Sequence, residues 1–188
     1  MENEKIKIHT EGTPNPNALK FVLSKVIIES GSYNFTSKEE GKGKSSPLVE
    51  KLFDIKNVEE VFIQKDFITI SKSPDAKWES IYDLAFDVIK NHLETDAPIV
   101  LAKDLKKETK TTRSEVEQKI HEILDNQIRP AVASDGGDVI FESYKDGVLR
   151  LHLQGSCSHC PSSIMTLKSG IEAMLKREIP ELKEVISV

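Results

Sequence analysis

Apolar and polar residues alternate from the start of the chain. Ile6 and Ile8 stand between Lys5, Lys7 and His9, which predicts a half-buried strand. A rigid turn follows at Thr13-Pro14-Asn15-Pro16-Asn17, where each proline fixes its own φ and restricts its neighbour. Residues 19–28 resume as a strand. Residues 31–46 are rich in Gly, Ser, Lys and Glu and predict a mobile surface loop. Ser46-Pro47 reads as a cap and first-turn proline opening a short helix to Phe53. Residues 58–63 and 67–70 read as paired strands across Gln64-Lys65-Asp66. The period then changes. After Ser73-Pro74, a second cap signature, Trp78, Ile81, Tyr82, Ala85, Val88, Ile89 and Leu93 recur at spacings of three and four, predicting an amphipathic helix.

Residues 102–112 read AKDLKKETKTT, with too little apolar content to join a core. Beyond them, Ser114 and Glu117 form a capping-box pattern ahead of an apolar stripe at Val116, Ile120, Ile123, Leu124 and Ile128. Pro130 is expected to end that helix. Asp135-Gly136-Gly137-Asp138 reads as a turn whose glycines supply positive φ. Strands at 139–144 and 148–153 meet at Asp146-Gly147, a strong hairpin dipeptide. Pro161 opens a helix carrying Ile164, Leu167, Ile171, Met174 and Leu175, and residues 185–188 return as a strand. The fold class predicted is α+β. Two small α+β domains, 1–97 and 113–188, are joined by a flexible linker at 98–112, and the second has the order α-β-β-α-β. No internal repeat relates them.

Composition narrows the partners. Of 188 residues 30% are charged and 38% hydrophobic, as in a folded soluble chain, and the net charge of −5 argues against a nucleic-acid surface. No run approaches the roughly 18 apolar residues of a membrane span. The N-terminus lacks the marks of a secretory signal or a transit peptide, and two cysteines do not make a disulfide scaffold. A reducing cytoplasm is the expected location; an organelle-matrix protein whose leader has been removed would have the same appearance.

Both cysteines lie in one motif, Cys157-Ser158-His159-Cys160, between a predicted strand and a helix start. That spacing lets two sulfurs face one metal or each other. Backbone N–H groups at residues 161–163 would stabilise anionic sulfur, Gly155 would admit close backbone approach, and Ser156, Ser162 and Ser163 add small polar groups. A four-sulfur site for zinc or an iron–sulfur cluster needs twice as many thiolates as the chain has, and a second copy is the simplest source. Three other readings stand beside this one. The cysteines could be ordinary small buried residues. They could exchange a disulfide as a thiol–disulfide oxidoreductase, although the βαβ entry of a thioredoxin-like fold is missing. Or they could hold structural zinc with His152 and His159. His9, His92 and His121 read as solvated or partly packed. No paired-carboxylate or Ser-His-Asp constellation can be argued from spacing, and Asp135-Gly136-Gly137-Asp138 lacks the Lys-Ser/Thr of a phosphate loop.

Gly155-Ser156-Cys157-Ser158-His159-Cys160-Pro161-Ser162-Ser163, preceded by Asp135-Gly136-Gly137-Asp138, resembles the C-terminal NifU-like domain of Nfu-type iron–sulfur proteins. Thr13-Pro14-Asn15-Pro16-Asn17-Ala18-Leu19-Lys20-Phe21 resembles the signature of their N-terminal domain, in the family's order. The resemblance implies a non-enzymatic scaffold or carrier. It would bind an iron–sulfur cluster, [4Fe–4S], between two protomers through Cys157 and Cys160 and pass it to apo-proteins. It further implies a homodimer on cluster binding, an upstream assembly scaffold that loads it and apo iron–sulfur enzymes that receive the cargo. The polar stretch between Gly31 and Ser46 departs from the family pattern. The first domain, without cysteine, would be a docking module or a spacer.

Overall fold

The computed structural model describes residues 6–43, 46–95, 97–100, 114–158 and 161–188. The chain divides into two compact units, 1–105 and 106–188. The first is built on a five-stranded sheet of order β1-β2-β5-β4-β3, antiparallel throughout, from strands β1 (Ile8–Gly12), β2 (Ala18–Leu23), β3 (Ser32–Phe35), β4 (Val58–Gln64) and β5 (Phe67–Lys72). Helices α1 (Lys38–Gly43), α2 (Pro47–Phe53) and α3 (Tyr82–Glu94) complete it. Apolar side chains of β4 and β5 (Val61, Ile63, Ile68, Ile70) join Leu48, Val49 and Leu52 of α2 and Ala85 and Ile89 of α3 in one buried core. Period two from the strands and period 3.6 from the helices meet there, as the sequence pattern requires.

Four expectations are corrected in this unit. Residues 31–43 are not a loop: β3 pairs with β4, and Phe35 is fully buried. Helix α1 follows, with the Glu40 N–H donating to Ser37 Oγ and the Thr36 N–H returning to the Glu40 carboxylate at 2.8 Å. Two aromatics one residue apart, Tyr33 and Phe35, were a strand signal submerged in polar composition. Strand β2 stops at Leu23, short of the expected Ile28, although Ser24 N–H still bonds Lys7 O opposite it. Ser73-Pro74 starts a β-turn rather than a helix, closed by Ala76 N–H to Ser73 O at 3.1 Å, and Pro74 suits its second position. Helix α3 begins only after a 3₁₀ turn at Trp78–Ser80, although its buried stripe of Ile81, Ala85, Ile89 and Leu93 is the predicted one. Finally, Ser46 both caps α2, accepting from Val49 N–H, and donates to Ile99 O at 2.5 Å, so the packed first unit includes Ile99. Most of the segment expected to act as linker, 98–112, lies outside the described residues, which resume at Ser114.

The second unit has the predicted order. Helix α4 (Glu115–Ile123), capped by the Ser114/Glu117 box, leads into a π-helical turn (Leu124–Ile128) and α5 (Arg129–Ser134). Strands β6 (Gly137–Lys145) and β7 (Val148–Gly155) pair antiparallel, and after helix α6 (Pro161–Glu178) strand β8 (Glu184–Ser187) adds parallel to β7. The hairpin turns at Asp146 and Gly147 with φ of 54° and 85°. Ile120, Leu124, Val132, Leu149, Leu151, Leu175 and Val185 form the core. Glu172 on α6 accepts the Val185 N–H at 3.1 Å, an amide that β7 does not use.

Pro130 does not end the helix. A proline inside an α-helix strikes the carbonyl four residues back and lacks the N–H to bond it. Here the preceding turn widens, with Arg129 N–H bonding Leu124 O five residues back, and the helix continues to Ser134.

Candidate functional site

Strand β7 ends at Gly155 in the left-handed region, φ 69°, a conformation that glycine adopts at no steric cost. This bend carries the chain from the sheet into Ser156-Cys157-Ser158. The Ser158 N–H and Oγ both reach Gly155 O, at 3.0 and 2.7 Å, and tighten the bend. Cys157 points inward. It is 5% exposed and belongs to the core cluster with Val139 and Leu153. Its Sγ lies 3.6 Å from Ser156 Oγ. His159 and Cys160 lie outside the described residues.

Behind the thiol stands the turn before β6. Gly136 takes φ 82°, and its carbonyl accepts the Ser156 N–H at 3.2 Å. The Ser156 hydroxyl donates to Asp135 O. Gly137 already belongs to β6, where it pairs with Gly155, so only the first half of the predicted four-residue turn is a turn. Asp138, fully buried, accepts from Arg129 Nε at 2.9 Å and Nη2 at 2.8 Å, and from Val139 N–H at 2.8 Å. Arg129 also reaches Asp125 at 3.1 Å. The bidentate Asp138 carboxylate, more than any other neighbour, holds the Arg129 guanidinium in its charged form, above an already high range. This pair ties the helix to the strand that backs Cys157. Sequence reasoning did not single out Arg129; the one local signal was its i,i+4 spacing from Asp125, and the partner that matters lies across the turn.

Helix α6 opens at Pro161. Proline has no N–H, so the open amides at this helix start are those of Ser162, Ser163 and Ile164 rather than 161–163. They carry the partial positive charge of a helix N-terminus just past the cysteine motif. His152, considered above as a zinc ligand, sits exposed on β7 with Nδ1 2.7 Å from Val188 O, so that nitrogen donates to backbone. His121 packs against the Phe141 ring at 4.4 Å. His9 is exposed beside Glu11. His92 is more deeply placed than expected: it is 4% exposed, its Nε2 has no hydrogen-bond partner among the described residues, and burial holds its pKa below the ordinary value.

The first unit's Thr13 to Phe21 motif builds a turn. Thr13 Oγ1 donates to Asn15 O at 2.9 Å and accepts from Asn15 N–H at 3.2 Å. Asn15 Oδ1 accepts the Asn17 N–H at 3.0 Å. Lys72 Nζ donates to Asn17 Oδ1 at 2.9 Å, and the Trp78 indole to Pro16 O at 3.1 Å.

Family models match both units. Residues 8–96 match the scaffold protein Nfu/NifU N-terminal domain, and residues 120–186 match the NifU-like domain. The chain is 42% identical over 184 residues to a Drosophila persimilis protein named NFU1 iron-sulfur cluster scaffold homolog, mitochondrial, covering 96% of this chain and 64% of that protein. It is 41% identical to a NifU-like protein of Schizosaccharomyces pombe over 97% of this chain and 73% of that one. The solution structure of a NifU-like protein from Saccharomyces cerevisiae is similar over 54% of this chain and 90% of that chain, at 29% identity and a TM-score of 0.48. The chain thus spans a little under two thirds of the Drosophila relative.

Proposed function

The chain belongs to the Nfu/NifU family, whose relatives are named iron–sulfur cluster scaffolds, and on that premise we propose that it is a non-enzymatic carrier of such a cluster. The cargo is a [4Fe–4S] cluster held by Cys157 and Cys160 of two copies of the chain and handed to apo iron–sulfur enzymes after loading by an upstream scaffold. The observation that carries this reading is the seat of Cys157 between the end of β7 and the start of α6, inside the segment that matches the NifU-like domain.

The donor set suits the cargo. Two thiolates per chain leave iron–sulfur chemistry half supplied, and a two-fold pairing of identical chains completes four. Amide donors at Ser162, Ser163 and Ile164 favour negative charge on nearby sulfur. Release needs no redox step: a recipient's thiolates replace this chain's, one Fe–S(Cys) bond forming as another breaks, with charge conserved. A site split between two chains loosens when the pair loosens, which suits delivery. Reduced thiols are required throughout, which places the protein in a reducing compartment, cytoplasm or organelle matrix.

Anaerobic reconstitution of the full chain, followed by iron and acid-labile sulfide analysis, Mössbauer spectroscopy and sedimentation, tests this. The wild type is expected to bind about four iron and four sulfide per pair of chains and to sediment as a dimer when loaded. Cys157→Ser and Cys160→Ser are each expected to lose the cluster while keeping the fold. A loaded monomer, or a Cys157→Ser variant with full iron and sulfide, would overturn the assignment.

A further inference from the structure

Three glycines surround Cys157, and two of them are explained by backbone conformation. Gly136 and Gly155 have φ of 82° and 69°, where side chains are strained. Gly137 is different. It pairs in β6 with Gly155 and does not have positive φ, so its backbone would accept any L-residue. What forbids a side chain is occupancy. A Cβ at position 137 would lie 2.5 Å from Gln154 O, 3.0 Å from Cys157 Sγ and 3.5 Å from Cys157 Cβ. Carbon contacts are normally optimal near 3.5–4.0 Å, roughly, so the Gln154 carbonyl and the cysteine side chain together fill the space that a residue at 137 would need.

The other side of the thiol is closed by its own loop. Ser156, 1% exposed, is drawn onto the turn by two bonds, its N–H to Gly136 O and its hydroxyl to Asp135 O. Cys157 is left 5% exposed between the glycine wall and the serine latch.

We propose that Gly137 and Ser156 are positioning residues that form a berth for the Cys157 sulfur, keeping it covered in the chain without cargo. The inference rests on the scaffold reading for its purpose, since a ligand for iron must survive oxidants and stray disulfides until a cluster arrives. Its geometry does not depend on that reading. Thiol reactivity follows access as well as thiolate character, so a covered sulfur is spared even at a helix start. The berth also gives the sequence Asp135-Gly136-Gly137-Asp138 a division of labour: one glycine turns the chain, the next makes room.

The test uses cluster-free full-length protein and two thiol reagents, small iodoacetamide and a bulky maleimide, with Cys157 and Cys160 resolved by peptide mass analysis. The ratio of bulky to small rates reports access and cancels thiolate fraction. For Cys157 that ratio is expected to be at least about tenfold lower in the folded wild type than in guanidinium. Ser156→Ala, which removes the hydroxyl bond of the latch, and Gly137→Ala, which pushes on the Gln154 carbonyl and the sulfur, should each raise it severalfold toward the unfolded value. Circular dichroism checks folding, and Ser156→Ala decides if Gly137→Ala fails to fold. A wild-type ratio equal to that of the unfolded chain, or an unchanged ratio in a folded variant, overturns the berth. Because no iron is used, failed reconstitution of the wild type would overturn the scaffold reading alone, whatever the alkylation ratios show.

Discussion

Two turns that the sequence marks plainly, Thr13–Asn17 in the first unit and the one opening at Asp135-Gly136 in the second, are built in opposite ways. The first is held by side chains of its own. Thr13 and Asn15 bond the turn's backbone, two prolines fix φ, and Lys72 and Trp78 brace it from β5 and the following 3₁₀ turn. The second is defined by missing side chains. Gly136 and Gly137 leave room for Ser156 and Cys157, and the turn is held from outside, by Ser156 bonding Asp135 O and Gly136 O and by the charged Arg129–Asp138 pair anchored on the helix. A turn with many small anchors tolerates the loss of one. A turn whose strongest anchor is a charged pair should feel the loss of that pair more, and this is the turn that backs the thiol.

That contrast sets an order of effects. Asp138→Ala takes the main partner from a partly exposed Arg129 guanidinium that keeps Asp125, so the cost lies at the lower end of that for breaking a buried pair from one side, about 3 kcal/mol. Urea unfolding of the full chain should show this as a loss confined to the second unit, with Cys157 alkylating at lower urea than in the wild type. A loss below about 1 kcal/mol would mean that the glycine turn holds itself. Phe35→Ala should cost a similar amount, about 3 kcal/mol, in the first unit, because its ring is fully buried. A negligible change there would return residues 31–43 to the status of a surface loop. Thr13→Ala removes one member of a shared network, and about 1–2 kcal/mol is expected. Trp78→Phe deletes the indole bond to Pro16 O while keeping an aromatic ring beside Lys72, and about 1 kcal/mol is expected in thermal denaturation. If either exceeds the Asp138 effect, the first turn is not redundantly braced.

Acid provides the mildest probe. Burial keeps the His92 imidazole neutral and its pKa below 6.5, whereas in the unfolded chain it takes up a proton near that value. Stability from this group is therefore complete above pH 6.5 and lost as pH falls below it toward the folded-state pKa. The first unit's urea midpoint should fall over that window, and His92→Leu should flatten the fall. An unchanged slope in the variant would assign the acid sensitivity elsewhere.

What could be read from sequence was what local chemistry decides. The stripe of Ile81, Ala85, Ile89 and Leu93, the Ser114/Glu117 capping box and the Asp146-Gly147 hairpin depend on neighbours within a few positions, and each is in place. The cysteine motif was legible for the same reason, and Cys157 sits where strand gives way to helix. Tertiary decisions were not legible. Phe35 is a core residue because β4 lies beside it, although its neighbours are polar. Pro130 stays within a helix because the turn before it widens, which composition does not signal. Arg129 earns its role from a carboxylate nine positions on, across a turn. The two adjacent glycines look alike in sequence, and only their surroundings show that one is for φ and the other for space.

The Glu172 carboxylate that receives the Val185 N–H has a consequence for how this molecule meets others. A short parallel strand at the border of a sheet ordinarily displays unpaired amides, an invitation for a foreign strand to zip on. Here a glutamate reaching down from α6 occupies one of those amides within the chain itself. The margin of the second sheet is thereby blunted at β8, so association through strand addition is discouraged on that side.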